Sequence, residues 1–155
     1  MDSFKETLYK LFEGVGCRSR SIASLIVDKD GNVIGTGTNS PTCNCVSNAQ
    51  SKGYLFKDDG KTCVRYLLGA KSGQMLNLCN ARHAEQVAIQ DAHNRGYDTT
   101  NATMYVTCEC PCSLCANAIT NAGIKSIYIK DKPDYDPLGR EILSQGKISI
   151  HTWDI

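Results

Sequence analysis

Cys79-Asn80-Ala81-Arg82-His83-Ala84-Glu85 and, downstream, Pro111-Cys112-Ser113-Leu114-Cys115 are the two stretches from which the rest of the chain can be read. Zinc takes imidazole nitrogen and thiolate sulfur in a tetrahedral shell, and a catalytic zinc keeps three protein ligands with one position left for water. His83, Cys112 and Cys115 make such a set. Glu85, two residues past the histidine, is a carboxylate that need not bind metal and can carry protons. A structural zinc would be expected to take four protein ligands, and it gives no reason for Glu85.

Both stretches read as helix starts. Arg82 to Asn94 turns Ala84, Val87, Ala88 and Ala92 to one side and has Gly96 behind it, and Cys112 to Asn121 is closed by Gly123. Residues three apart in a first turn share a face, so the sulfurs of Cys112 and Cys115 can reach one ion. Unpaired N–H groups and the positive end of the helix dipole favour thiolate there.

Working outward, Thr103 to Thr107, Ser126 to Lys130 and Lys147 to Trp153 read as strands, with a helix over Pro137 to Gln145 between the last two. Upstream, Phe4, Leu8, Leu11 and Phe12 lie on one helical face, capped by Asp2 or Ser3 and ending near Gly14. Ile22 to Asp28 then pairs as a hairpin with Val33 to Thr38 across Lys29-Asp30-Gly31-Asn32. The expected fold is α/β, with three α/β/α layers around a five-stranded mixed sheet. Its last two strands should be parallel, since a helix joins them.

From Ser40 to about Leu78 the periodicity fades, and a structureless loop of that length needs a function or a stabiliser other than a core. We expect one domain over 1–155 with a cysteine-rich insertion at about 40–79. Cys43, Cys45, Cys63 and Cys79 lie in or beside the insertion, and four thiolates make a closed zinc shell. Cys-x-Cys is a less common ligand spacing than Cys-x-x-Cys, so one of Cys43 and Cys45 can give way to a histidine or Cys17. Free buried thiols are the plainer alternative.

Nine cysteines without an export signal suit metal binding in a reducing compartment better than a disulfide framework. The first residues, Met-Asp-Ser-Phe-Lys-Glu, carry no long apolar run, and no segment nears the roughly 20 apolar residues of a membrane helix, so a cytoplasmic location is expected and a membrane is not. Seventeen basic residues against sixteen acidic ones, a net charge of +1, argue against a broad nucleic-acid surface.

His-x-Glu followed by Pro-Cys-x-x-Cys is the signature of zinc deaminases. Beyond it, Cys17-Arg18-Ser19-Arg20, Gly35-Thr36-Gly37-Thr38-Asn39-Ser40-Pro41, the run from Ser72-Gly73 to Glu85, Ala122-Gly123-Ile124-Lys125 and the Tyr135 to Leu143 segment resemble the cytidine-deaminase superfamily, and within it the deoxycytidylate (dCMP) deaminases. The resemblance implies zinc-dependent hydrolysis of dCMP to dUMP and ammonia, with Glu85 moving the protons. It implies that Asn39 contacts the nucleotide, that the backbone around Ala84 holds the pyrimidine carbonyl, and that Tyr135 helps close the site. It also implies a homo-oligomer (dimer or hexamer), dCTP and dTTP as effectors and, in some microbial members, a second, structural zinc in the insertion.

Three departures from the family pattern bear on substrate. Val87 stands where the family has Asn. Cys108-Glu109-Cys110 places three residues between Thr107 and Pro111 where the family has two, which implies a bulge at the strand end. Asn39-Ser40-Pro41 shortens a family loop. The competing readings are a tRNA-adenosine or single-stranded-DNA cytosine deaminase, a deaminase of another small nucleobase or nucleoside, and a non-catalytic zinc module, against which the intact Glu85 speaks.

Overall fold

The computed structural model describes residues 2–155. Its sheet contains a strand buried along its whole length, β1 (Ala23–Val27), flanked on one side by the edge strand β2 (Val33–Thr38). On the other side come β5 (Thr103–Val106), β6 (Ser126–Lys130) and β7 (Ser149–Trp153), giving the order β2-β1-β5-β6-β7. β1 runs antiparallel to both neighbours, and β5, β6 and β7 are mutually parallel. This is the expected mixed α/β sheet.

Because alternate residues of a strand face opposite ways, the sheet carries two cores. Ile26, Met104, Val106, Ile127 and Ile129 meet α4 (Ala84–Asn94), α5 (Ser113–Asn121) and α6 (Pro137–Gln145). Leu25, Val27, Tyr105 and Trp153 meet Leu8 and its neighbours on α1 (Asp2–Leu11). Trp153 also donates its indole N–H to the Val106 carbonyl at 3.0 Å, tying the last strand to the middle of the sheet. The three layers are therefore uneven, one helix against three.

Glycines set how closely the helices sit. A Cβ at Gly37 would run into the Ala84 carbonyl and the Ala88 N–H, and one at Gly35 would come within 2.9 Å of the Ala92 methyl. So α4 lies with its backbone against β2. At the other end of the site, a Cβ on Gly139 would strike the Pro111 carbonyl, which seats the start of α6 on the turn before α5. Asp136 fastens that junction by accepting from Ser113 N at 2.8 Å and from Leu138 N at 3.2 Å, one carboxylate capping two helices.

Several expected boundaries shift. α4 begins at Ala84 rather than Arg82, because Ala81–Arg82 form a two-residue strand, β4, paired with β3 (Ser40–Pro41). The insertion is not structureless. It holds α2 (Cys45–Ser51), capped by Asn44 whose side chain accepts from Ser47 N, then α3 (Val64–Leu67) and a 3-10 turn over Leu76–Leu78. These turns are too short to show a hydrophobic period. The extra residue before Pro111 makes no bulge in the β5 ladders, which stay in register. It is absorbed after the strand, where Cys108, Glu109 and Cys110 are all buried and the Cys108 carbonyl accepts from Lys130 N at 2.8 Å. The irregular step falls instead at Ile26/Val27, beside the hairpin turn.

Gly37→Ala should destabilise the chain by at least about 1–3 kcal/mol, the usual cost of overpacking, since rigid backbone on α4 blocks the new methyl. Gly14→Ala, with nothing near its Cβ position, should stay within about 0.5 kcal/mol of the parent. Urea denaturation of the two variants beside the parent checks this, and equal midpoints would be the contrary result.

Candidate active site

His83 and Cys112 occupy equivalent places on two neighbouring helices. His83 is the N-cap of α4, with φ −77° and ψ 138°, and its carbonyl accepts from Val87 N at 3.0 Å. Cys112 is the N-cap of α5, with φ −64° and ψ 169°, and its carbonyl accepts from Ala116 N at 2.8 Å. Extended backbone at each cap lets the side chain stand ahead of its helix. Cys115, wholly buried, follows within the first turn of α5.

The three side chains converge. His83 Nδ1 lies 3.5 Å from Cys112 Sγ and 3.2 Å from Cys115 Sγ, and all three donor atoms lie within 4.8 Å of one another. Tetrahedral zinc, bonded at about 2.0 Å to nitrogen and 2.3 Å to sulfur, would hold those atoms about 3.6 Å apart. The two His83–sulfur separations fall within a few tenths of an ångström of that spacing, so the donor set fits zinc.

The electrostatics agree. Cys112 is pushed down to about 4, first by the hydrogen bond from the Cys115 thiol and further by His83. Cys115 is driven up by the same bond, by burial and by the nearby Glu85. The bond between the two sulfurs thus favours thiolate on Cys112. That thiolate in turn raises the pKa of His83.

Glu85 is 4% exposed, on the first turn of α4 beside this group, and its Oε1 accepts from the Cys108 thiol at 3.5 Å. A cleft opens over it, walled in part by His83, Ala84, Asn39, Arg65, Arg82 and Tyr135. Asn39 is buried, and its amide is largely committed to backbone. Oδ1 accepts from Ile22 N at 2.8 Å, and Nδ2 donates to the Arg20 carbonyl at 2.6 Å. Ala84 is buried at the start of α4, whereas Tyr135 is 63% exposed at the rim. Val87 packs on Gly37 and is not part of the cleft wall.

The insertion's cysteines draw together without closing into a shell. Cys45, Cys63 and Cys79 share a cavity with Cys17, while Cys43 is exposed and takes the Asn80 amide on its sulfur. Burial first, then the other four thiols, raise the pKa of Cys45. Among the described residues, no three of these sulfurs come within 4.8 Å of one another.

Two features of the cleft escaped the sequence. Arg20 forms a two-pronged ion pair with Glu109, at 3.1 and 2.9 Å. Glu109 sits in the extra-residue turn, where no periodicity marks it. Arg65, from α3, reaches the cleft from a stretch without pattern.

Residues 3–130 match the family model described as the cytidine and deoxycytidylate deaminase zinc-binding region. The chain belongs to this family. A deoxycytidylate deaminase of Enterobacteria phage T2 is 33% identical over 140 residues, covering 74% of each chain. Among solved structures, the dCMP deaminase of cyanophage S-TIM5 in complex with dCMP and dUMP matches with a TM-score of 0.68 at 15% identity, over 98% of this chain and 95% of that one. A diaminohydroxyphosphoribosylaminopyrimidine deaminase/5-amino-6-(5-phosphoribosylamino)uracil reductase from Thermotoga maritima matches with a TM-score of 0.60 at 22% identity, over 97% of this chain and 35% of the other. These two likenesses speak to fold. The family's zinc-binding region includes the His83, Cys112 and Cys115 group, and among the described residues no helix is long and apolar enough to cross a membrane.

Metal uptake by this group should depend on pH in a set direction. Ligands bind zinc deprotonated, so each proton displaced weakens apparent affinity about tenfold per unit fall in pH. Cys112 stays a thiolate down to about 4 and costs nothing above that. Cys115 must give up its proton at any working pH, and His83 adds a second below its raised pKa. Zinc affinity, measured by chelator competition from pH 8 to 5.5, should fall throughout and more steeply toward the acid end.

Proposed function

We propose that this chain is a zinc-dependent dCMP deaminase, turning dCMP and water into dUMP and ammonia. The observation that carries the reading is the His83, Cys112 and Cys115 group with a buried Glu85 beside it, in a chain 33% identical to a phage deoxycytidylate deaminase. Zinc held by the three ligands would supply Lewis acidity and bring a water toward ionisation at neutral pH. Glu85 takes the proton from that water as it adds to the amidine carbon, delivers it to the ring nitrogen, and assists the departure of ammonia. Burial keeps this carboxylate aimed, and the cleft keeps bulk water from competing for its proton. The free N–H groups at the start of α4, around Ala84, suit the pyrimidine carbonyl. Asn39 borders the sugar or base, and Tyr135 closes over it.

The same reading places a second, structural zinc in the insertion. Cys45, Cys63 and Cys79 would bind it, with Cys43 or Cys17 as the fourth thiolate; the shared cavity favours Cys17. The deaminase domain spans 1–155 and works as a homo-oligomer, dimer or hexamer, under dCTP and dTTP control. Nine unpaired cysteines support a reducing, cytoplasmic setting. With Val87 turned onto Gly37 rather than into the cleft, its departure from the family pattern does not argue for an oligonucleotide substrate.

Ammonia release from dCMP, cytidine, deoxycytidine, guanine, a tRNA anticodon stem-loop and single-stranded DNA tests the reading. We expect turnover of dCMP. Glu85→Gln should lower kcat by about 10²–10⁴-fold, the scale of general acid–base catalysis, without losing zinc. Turnover of the oligonucleotides alone would overturn the reading.

Metal analysis should give two zinc ions per chain. Cys63→Ser should lose one and lower the melting temperature, whereas Cys112→Ser should lose the other and all activity. A parent protein with a single zinc would remove the structural site.

A further inference from the structure

Arg65 is a buried cation without a counter-charge. Four of the six arginines form ion pairs: Arg18 with Asp58, Arg20 with Glu109, Arg95 with Asp91 and Arg140 with Asp134. Arg65 is 7% exposed, and none of the ion pairs among the described residues includes it. Its Nη1 donates to the Gln74 carbonyl at 2.8 Å, and the guanidinium lies 5.2 Å from the centre of the Tyr66 ring. Its Nε is buried with no acceptor at all. A desolvated cation left unpaired costs stability, so its retention on the wall of a binding cleft points to an anion that arrives with the ligand.

The cleft that Arg65 borders is the one over Glu85 and His83. Arg82, exposed and also outside the ion pairs, stands on the same wall system, while Arg20 is already neutralised by Glu109. A guanidinium presents a planar fork of donors that matches phosphate oxygens, and such charge-assisted pairs outweigh neutral hydrogen bonds. We propose that Arg65, from the insertion, is the residue that binds the 5′-phosphate of the substrate and so makes the enzyme prefer a nucleotide to a nucleoside, with Arg82 contributing charge from the rim. The inference rests on the dCMP reading above and adds to it the group that reads the phosphate. Arg65 also borders the cavity of Cys17, Cys45, Cys63 and Cys79, where zinc-bound thiolates would be the competing partner, and the experiment separates the two.

Steady-state kinetics on dCMP and on deoxycytidine, for the zinc-loaded parent, Arg65→Gln and Arg65→Lys, decides the matter. Losing one charge-assisted contact to phosphate should raise KM for dCMP about 10- to 100-fold in Arg65→Gln, with kcat less affected. Turnover of deoxycytidine should stay within about twofold, so the preference for the nucleotide collapses. Arg65→Lys, which keeps the charge and loses the fork, should fall between and carries the test if the glutamine variant does not fold. Inhibition of deoxycytidine turnover by dUMP should weaken in parallel. Equal losses on dCMP and deoxycytidine, accompanied by lower zinc content, would assign Arg65 to the thiolates and overturn the proposal. An unchanged preference for dCMP over deoxycytidine would also overturn it while leaving the dCMP reading intact. A parent protein inactive on both compounds would overturn that reading and this assignment together.

Discussion

The seating of α4 on β2 is the constraint from which the site follows. Two glycines, Gly35 and Gly37, let a helix backbone rest directly on a strand, a separation that any side chain would increase. That contact sets the depth and the angle at which α4 begins, and therefore where His83 and Glu85 stand. The partner half is fixed by the same means. Gly139 lets α6 press on the Pro111 carbonyl, and Asp136 caps both α5 and α6, so Cys112 and Cys115 have little freedom. Close packing resists small displacements strongly. A metal site assembled from two separate helix starts needs that stiffness, because its bond lengths tolerate only tenths of an ångström.

Much of this was legible in the sequence because it repeats or because it is chemically specific. Period-two strands, helices closed by Gly96 and Gly123, and the hairpin turn at Gly31 all appear where patterning places them. The His83, Cys112 and Cys115 group followed from the His-x-Glu and Pro-Cys-x-x-Cys signature together with ligand chemistry. What patterning misplaced were the ends. α4 starts two residues late because Ala81–Arg82 pair with Ser40–Pro41, a contact between segments forty residues apart that no local rule registers. Gly146 does end α6, but its φ is −75° and the left-handed residue is Lys147. A Cβ at Gly146 would meet Thr120 at 3.0 Å, so this glycine is placed for space rather than for a turn.

The insertion was the least legible part, and for a physical reason. Its helices are seven and four residues long, below the length at which a helix is stable on its own or shows an apolar stripe. Its order comes instead from scattered polar contacts. Arg18 reaches Asp58, Asp59 caps the turn to Thr62, and Asn80 meets both Cys43 and Cys45. None of these leaves a periodic trace.

That same economy gives the insertion its place in the chemistry. Cys63 is the N-cap of α3, and Arg65 lies two residues further on in that single turn. One short element therefore faces the cavity of thiols with its start and the cleft over Glu85 with its guanidinium. A four-residue helix cannot hold a buried cation in place by its own stability. The cysteine cavity and the cleft therefore share one short element. A chain with a near-neutral total charge can in this way present a positive group outside its ion pairs on the wall of a cleft, which a count of lysines and arginines does not reveal.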